Sequence, residues 1–176
     1  MPLPEPEARD WLQIRNVECR GYRRRDGMWD IEGHLVDLRT YTYPSRERGD
    51  RAAGQPVHDI WLRLTLDDNL EVRDVACAMD STPMAICCEI EAAYRGLIGL
   101  RVASGWNKKV RELFGGGKGC THLQDMLVAI TGTAIQTIGG YRDTQRGAVV
   151  FDGTTPIASC HAMVRQEKEK AEHGKA

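Results

Sequence analysis

The sequence has 176 residues, of which 41% are apolar and 28% charged, so it is long enough for one globular domain with a substantial core. The 24 Lys and Arg residues nearly balance the 25 Asp and Glu residues, and a net charge of −1 gives no general electrostatic case for nucleic acid or an anionic membrane. No run of about 20 apolar residues is present, so no membrane-spanning helix is predicted.

The N-terminal segment "MPLPEPEARDW" combines three prolines with three acidic residues and has no basic stretch followed by an apolar one, which argues against a secretory signal. We therefore expect a cytoplasmic protein whose six cysteines are reduced thiols. None of them forms a CxxC pair, so neither a zinc finger nor a disulfide framework is predicted. Residues 1–10 are expected to be a disordered lead, residues 11–165 a single domain and residues 166–176 a charged tail.

In chain order, the first half of the sequence predicts β-strands. "WLQIRNVECRGYRRR" is a first short strand with a bend at Gly21, and residues 29–38 form a second strand that "LRTYTY" extends. Residues 44–56 are rich in Gly, Pro and charge and predict an exposed loop. Next come two strands joined by a turn at residues 67–69, which together predict a hairpin. Its apolar positions are Ile60, Leu62, Leu64 and Leu66 on one strand and Leu70, Val72 and Val75 on the other.

From residue 81 the spacing of apolar residues becomes helical. Thr82 as N-cap and Pro83 at the first position open a helix that Gly99 ends, and "GWNKKVRELFGGGKG" predicts a short basic helix. "CTHLQDMLVAITGTAIQTIGG" predicts a long helix with a Thr121–Gln124 capping box and one apolar stripe. Residues 146–164 suggest a strand and a turn. The predicted class is α+β, with an antiparallel sheet in the N-terminal half packed against C-terminal helices. The stripe comprises Leu123, Met126, Leu127, Ile130, Ala134, Ile135 and Ile138.

The strand "DGMWDIEGHLVD" carries polar groups at every second position. Asp30, Glu32 and His34 share one face of this strand, since side chains two residues apart point the same way. A carboxylate beside an imidazole fixes its tautomer or stabilises its protonated form, which suits general acid–base catalysis. The alternative is a solvated outer face. We expect the wall of a site that looks onto the start of the long helix.

The segment "PVHDIWLR" supplies a second group. His58 shares a face with Ile60, either as a core histidine at the start of the strand or as a catalytic group. On the opposite face Asp59, Trp61 and Arg63 could bind a planar or anionic ligand, or could form ordinary cross-strand pairs.

The segment "GGGKGCTHL" places several reactive groups at a helix start. A glycine-rich loop lets backbone N–H groups approach a ligand, and a helix N-terminus favours an anion or a thiolate. Cys120 and His122 are candidate catalytic groups there, although they could merely pack at a flexible helix entry. If Thr121 caps the helix, the helix dipole lowers the pKa of His122 and a facing Glu32 or Asp30 raises it.

The remaining candidates are substrate-binding residues. Tyr22 and Arg24 belong to an arginine-rich patch that is either a solvated edge or a recess for an anionic substrate. The indoles of Trp29, Trp61 and Trp106 are expected to be apolar walls of the cleft.

Several blocks of the sequence resemble a family of bacterial domains of unknown function. They are "GYRRRDGMWDIEGHLVD", "GQPVHDIWLRLTLDD", "GWNKKVRELFGGGKGCTHL" and "TAIQTI", within residues 15–140. This resemblance implies a cytoplasmic bacterial protein and supplies no activity. The order "LTLDDNLEVRDVACAMD", "PMAICCEI", "GCTHL" is also similar to the NifU-like iron–sulfur scaffold proteins. That similarity implies a hairpin followed by helices, with Cys87 or Cys88 and then Cys120 as ligands, but the first glycine–cysteine motif is missing.

Two functional hypotheses follow. The first is a cofactor-independent lyase that acts by acid–base catalysis on a small hydroxylated or aromatic metabolite, for example by loss of a small aldehyde or of water. No nucleotide or flavin fingerprint is present, so no cofactor and no metal are expected. The second is a metal or iron–sulfur module that uses Cys120, His122 and Cys87 or Cys88. The expected partner is a small-molecule substrate, with no nucleic acid and no membrane, and a homodimer is left open.

Overall fold

The computed structural model describes residues 3–147 and Arg165. Four strands form one antiparallel sheet in the order β1-β2-β5-β6, a two-stranded hairpin β3–β4 stands beside it, and the helices follow in sequence. This arrangement confirms the predicted α+β class. The strands are β1 Gln13–Arg23, β2 Trp29–Arg39, β3 Tyr43–Ser45, β4 Gly49–Arg51, β5 Pro56–Leu66 and β6 Val72–Ser81. A 3₁₀ helix Ala85–Leu97 and the α-helices α1 Trp106–Phe114 and α2 Thr121–Arg146 complete the fold.

The long helix α2 packs on one face of the sheet, here called the inner face. On β2, residues 29, 31, 33, 35 and 37 are buried and the residues between them are half-buried, as a strand covered on one side requires. The apolar positions of β5 and the stripe of α2 meet there and are almost completely excluded from solvent. Burial of this apolar surface is the main source of stability. The predicted stripe is confirmed, with Ile135 packed at its margin.

Two glycines let α2 approach the sheet. A Cβ atom at Gly33 would lie 2.8 Å from side-chain atoms of Met126 and Ile130, and a Cβ atom at Gly21 would collide with the side chain of Thr137. The prediction of a bend at Gly21 is therefore wrong. This residue is paired within β1, and its missing side chain makes room for the helix.

The β5–β6 hairpin is confirmed. At its turn the Asp67 carboxylate accepts hydrogen bonds from the backbone N–H groups of Asn69 and Glu71. The register shifts between residues 65 and 66, which brings both Val72 and Val75 of β6 into the core despite their odd spacing.

The segment after β2 differs from the prediction. The strand ends at residue 39 rather than continuing through "LRTYTY". Within the predicted loop 44–56, β3 and β4 pair as a short hairpin, although most of this segment is exposed. Tyr43 is buried, and the Arg39 guanidinium lies 4.1 Å from the centre of its ring. Tyr43 also pairs with Arg51 of β4.

The helix starts also differ. The 3₁₀ helix begins at Ala85 without a side-chain cap, and the Thr82 hydroxyl instead donates to the carbonyl of Met84. The predicted short basic helix is α1, which ends before Gly115. The N-cap of α2 is Cys120, one residue before the predicted Thr121, and no side chain caps it. The Gln124 amide donates to the carbonyls of Phe114 and Cys120, so the predicted capping box is wrong.

The described residues 3–10 contain no helix or strand and are exposed. Most of the predicted strand and turn at 146–164 and the predicted tail 166–176 lie outside the described residues. No helix among the described residues is long and apolar enough to cross a membrane.

Candidate functional site

Three polar residues lie side by side across the inner face of the sheet. Asp37 on β2 stands directly opposite Arg15 on β1 and directly opposite His58 on β5. The Arg15 guanidinium donates to both carboxylate oxygens of Asp37, at 2.7 and 2.8 Å, and Nδ1 of His58 lies 2.9 Å from Oδ2. Strand register alone therefore sets a bidentate ion pair beside an imidazole.

The carboxylate of Asp37 is ionised in this arrangement. Its residue is only 2% exposed, and burial by itself would raise the pKa. The hydrogen bonds and charge of Arg15, together with the contact to His58, outweigh burial and hold the pKa below its ordinary value. An ionised carboxylate only accepts hydrogen bonds, so the proton of neutral His58 is on Nδ1 and Nε2 is free to accept another.

The first turn of α2 brings a second imidazole to this group. Nε2 of His122 lies 3.7 Å from Oδ2 of Asp37, and the ring centres of His58 and His122 are 3.8 Å apart. The helix start is held by the buried hydroxyl of Tyr94, which accepts from the N–H of Cys120 and donates to its carbonyl. The Cys120 sulfur is 3.7 Å from Nδ1 of His122.

The pKa values of both imidazoles are lowered, which favours the neutral form. Burial lowers the pKa of His58 below its ordinary value, and the Asp37 carboxylate offsets this effect only in part. Burial also lowers the pKa of His122, with further lowering by His58 and Arg15. For His122 the sequence predicts a lowering of the pKa by the helix dipole, opposed by a facing carboxylate. In the structure burial is the largest cause of the lowered pKa, and the carboxylates that oppose it are Asp37 and Asp125 rather than Glu32 or Asp30.

The two imidazoles line a cleft of about 460 Å³, a size typical of small-molecule sites. Its floor is β5 and β6, and its walls are the start of the 3₁₀ helix and the glycine-rich loop before α2. Cys120 and Cys87 also line it. The cleft therefore brings together three of the predicted catalytic residues, namely His58, His122 and Cys120.

Three side chains of this cluster have the donor atoms of a metal site. Asp37, His58 and His122 each place one ligand atom within 4.8 Å of the other two. However, two imidazoles on a tetrahedral zinc, at a zinc–nitrogen distance of about 2.0–2.1 Å, keep their ring centres roughly 5 Å apart. The observed 3.8 Å is shorter, and the Arg15 guanidinium already occupies both oxygens of the only carboxylate. In this arrangement His58 is hydrogen-bonded to Asp37, and the ring of His122 lies against the ring of His58.

The polar triplet of β2 lies on the other side of the sheet. Asp30, Glu32 and His34 alternate with the buried residues that face α2, so they belong to the outer face. The expectation that they look onto the Cys120–His122 helix start is wrong, because the apolar side of β2 takes that position. The catalytic role of Asp30, Glu32 and His34 stays a prediction, and their position on the outer face does not support it.

The outer face has a polar cluster of its own. His34 stacks on Trp61 with ring centres 3.6 Å apart, and its Nε2 lies 2.7 Å from Oδ1 of Asp59. Arg63 lies 3.7 Å from Glu32 on the neighbouring strand. These contacts join residues that are opposite or diagonal in the strand register, as ordinary cross-strand pairs do.

The other predicted binding residues do not reach the cleft. Tyr22 is half-exposed beside the Asp30 position, and Arg24 pairs with Asp26 and Asp30. Trp29 and Trp106 are core residues, so the prediction that indoles wall the cleft is wrong.

Sequence reasoning missed Asp37 and Arg15. The sequence does contain a signal for Asp37. Apolar residues recur at every second position of this strand, at Trp29, Ile31 and Leu35, and Asp37 continues the same series, so its side chain lies on the apolar face. A carboxylate on a buried face requires a charged or hydrogen-bonding partner, which marks it as a candidate for a site. Arg15 gave no comparable signal, because its pairing depends on the register of β1.

Comparison with known proteins gave one family match. The family described as "Protein of unknown function (DUF2889)" matches residues 13–136. A search among curated proteins and a search among solved structures each found no match. The resemblance to an uncharacterised domain family is thus confirmed, and the resemblance to the NifU-like scaffolds has no support.

Proposed function

The chain belongs to the DUF2889 family, which brings no activity with it, and we propose from the site itself that the protein is a cofactor-independent enzyme. In this proposal His58 and His122 transfer protons to and from a small hydroxylated molecule bound in the cleft. The observation that carries it is the buried, ionised Asp37 that orients one of two neutral imidazoles at the cleft wall.

His58 is the proposed general base. Asp37 fixes the proton of the ring on Nδ1 and stabilises the imidazolium that forms when Nε2 takes a proton, as the carboxylate does in an Asp–His pair of hydrolases. Arg15 is a positioning residue, since its two hydrogen bonds fix the carboxylate and keep it ionised. A neutral imidazole near pH 7 can accept a proton without first losing one.

His122 is the proposed second proton carrier. In a lyase step, His58 removes the proton of a substrate hydroxyl, and the oxygen electron pair forms the carbonyl of a departing aldehyde as the adjacent carbon–carbon bond breaks. The electron pair of that bond then takes up the proton that His58 accepted, either directly or through neutral His122, which accepts a proton at one ring nitrogen and gives one up at the other. In loss of water, one imidazole takes a proton from carbon, and the same proton is passed on to the leaving hydroxyl. Both sequences begin with neutral imidazoles and move one proton between two substrate atoms, and the adjacent rings lie close enough to pass it on.

The proposal includes a bacterial cytoplasm as the setting. The described cysteines Cys19, Cys77, Cys87, Cys88 and Cys120 are free thiols, which supports a reducing compartment. A homodimer stays a prediction, for which light scattering is the direct measurement.

The experiment is a substrate screen with protein treated with a chelator. Hydroxylated aromatic compounds are incubated with the protein, released aldehydes are trapped as hydrazones, and loss of water is followed by mass spectrometry. The proposal predicts turnover by the treated protein that added Zn²⁺, Mn²⁺ or Fe²⁺ does not raise. Turnover that requires one of these ions would contradict it.

The convergence of Asp37, His58 and His122 also supports a second candidate, a metal-binding module. The ligands predicted from the sequence are Cys120, His122 and Cys87 or Cys88. In this candidate Asp37 and His58 join His122 as ligands, while Cys120 lies next to His122 on its other ring nitrogen. Plasma emission spectroscopy distinguishes the two candidates. One equivalent of metal in the purified wild type, lost in His58→Ala, supports the module and contradicts the proton-transfer enzyme.

A further inference from the structure

The cleft lining has an unusual charge distribution. Of the described residues that line it, none is Asp, Glu, Lys or Arg, and the imidazoles and thiols are its only ionisable side chains. Most of the remaining wall is apolar. The apolar side chains are Ile60, Met79, Pro83, Met84, Ile86 and Ile90.

The charges beside the two imidazoles neutralise each other. Arg15 is bound to Asp37 through two hydrogen bonds and lies 3.6 Å from Asp125. Asp37 in turn is enclosed by Arg15, His58 and His122. Two further charges lie next to lining residues: Lys118 is exposed between Gly117 and Gly119, and the Glu47 carboxylate accepts a hydrogen bond from the backbone N–H of Ala85, between Met84 and Ile86. Neither side chain lines the cleft, so a bound ion meets no charged side chain of opposite sign among the described lining residues.

We propose that the cleft selects an uncharged, largely apolar substrate body that carries a hydroxyl group, and that it rejects carboxylates, phosphates and ammonium compounds of the same shape. This inference rests on the proposed function in that the cleft next to His58 and His122 is taken as the substrate site. Burial of an ion without a partner costs far more than burial of a hydroxyl group that an imidazole can hydrogen-bond.

The rim of the cleft extends the same apolar surface. Met84 is 40% exposed and Ile86 is 62% exposed, and both side chains line the cleft at the start of the 3₁₀ helix. A bound apolar body covers part of these side chains and removes their surface from water, which favours binding. A charged group at this rim would alter the selectivity of the cleft without disturbing the core.

The test uses three probes of one shape, namely benzyl alcohol, benzoate and benzylammonium. Their dissociation constants are measured by NMR titration of the isoleucine and methionine methyl groups of the full chain near neutral pH. The alcohol should bind roughly tenfold or more tightly than either ion, with the largest shifts at Ile60, Met79 and Ile90. Equal or tighter binding of benzoate, for example through the exposed Lys118, would overturn the proposal, as would shifts confined to another surface.

A matched pair of variants makes the test independent of folding. Ile86→Lys should weaken binding of the alcohol and strengthen binding of benzoate, because it adds a cation at the rim. Val128→Lys makes the same change at a similarly exposed position of α2 that does not line the cleft, and it should leave all three constants unchanged. Identical effects of both lysines, or no effect of Ile86→Lys, contradict the proposal.

Failure of this inference is distinguishable from failure of the proposed function. Binding of the probes requires no turnover, so the preference for an uncharged probe can hold even if histidine variants keep full activity. Conversely, loss of turnover in those variants together with tight binding of benzoate would support the proposed function and overturn the charge selectivity.

Discussion

Replacement of Asp37 by asparagine separates the electrostatic role of this residue from its shape. The substitution keeps the volume but removes the charge that Arg15 and His58 contact. Loss of a fully buried ion pair costs about 3–5 kcal/mol, but the Arg15 side chain is 39% exposed and can recover hydration. We therefore expect the free energy of unfolding to fall by roughly 2 kcal/mol near neutral pH.

The pH dependence of this loss has a definite sign. The pKa of folded Asp37 is below its ordinary value of 3.8, so its contribution to stability is present above that value and is lost as the pH falls through the folded pKa. Urea denaturation of wild type and variant should show a difference that shrinks on acidification to about pH 3.

A matched control exists at Asp125, whose side chain is 65% exposed and lies 3.6 Å from the same guanidinium. Asp125→Asn should change stability by less than about 0.5 kcal/mol. An equal loss in both variants, or an Asp37→Asn difference that is independent of pH, would refute the account of Asp37 as the buried anion of the site.

Three further predictions follow from the same contacts. Gly33→Ala should lower the free energy of unfolding by about 1–3 kcal/mol through overpacking against α2, whereas Gly132→Ala, with open space around it, should raise it slightly. Stability should fall as the pH drops below the ordinary histidine pKa of 6.5, since the pKa values of both folded histidines are lower and the unfolded chain binds their protons first. A His58→Gln, His122→Gln double variant should show a flatter pH profile in thermal melts. Cys120→Ala should keep kcat within a few-fold, because no covalent intermediate is proposed; an inactive variant would identify a nucleophile.

Much of the fold could be predicted from the sequence because its signals are local. The alternation of apolar and polar residues along β5 requires burial of one face of the strand, and the apolar stripe of α2 requires burial of one face of the helix. Both faces are buried in the structure. The 3₁₀ helix was predicted as an ordinary helix from Thr82, since apolar spacing alone does not distinguish the two helix types. The start of α2 was misplaced by one residue, because the Tyr94 hydroxyl, which is distant in sequence, holds the backbone at Cys120.

The candidate site was predicted only in part. His58, His122 and Cys120 could be predicted from residue type and position. The polar residues of β2, however, do not indicate which side of this strand faces the start of α2. The apolar stripe of α2 requires an apolar partner, which is the side of β2 that ends in Asp37. Asp37 and Arg15 are 22 positions apart in the sequence, and their pairing depends on the register of β1 against β2, which the sequence of neither strand determines.

The central claim is that the imidazoles of the inner face, rather than the imidazole of the outer face, transfer protons. Its most direct test compares kcat of His58→Ala and His34→Ala on a substrate that the wild type turns over, with circular dichroism as the control for folding. The account predicts a loss of roughly 10²- to 10⁴-fold in His58→Ala and turnover close to wild type in His34→Ala. Wild-type kcat in His58→Ala, or the large loss in His34→Ala alone, would contradict it.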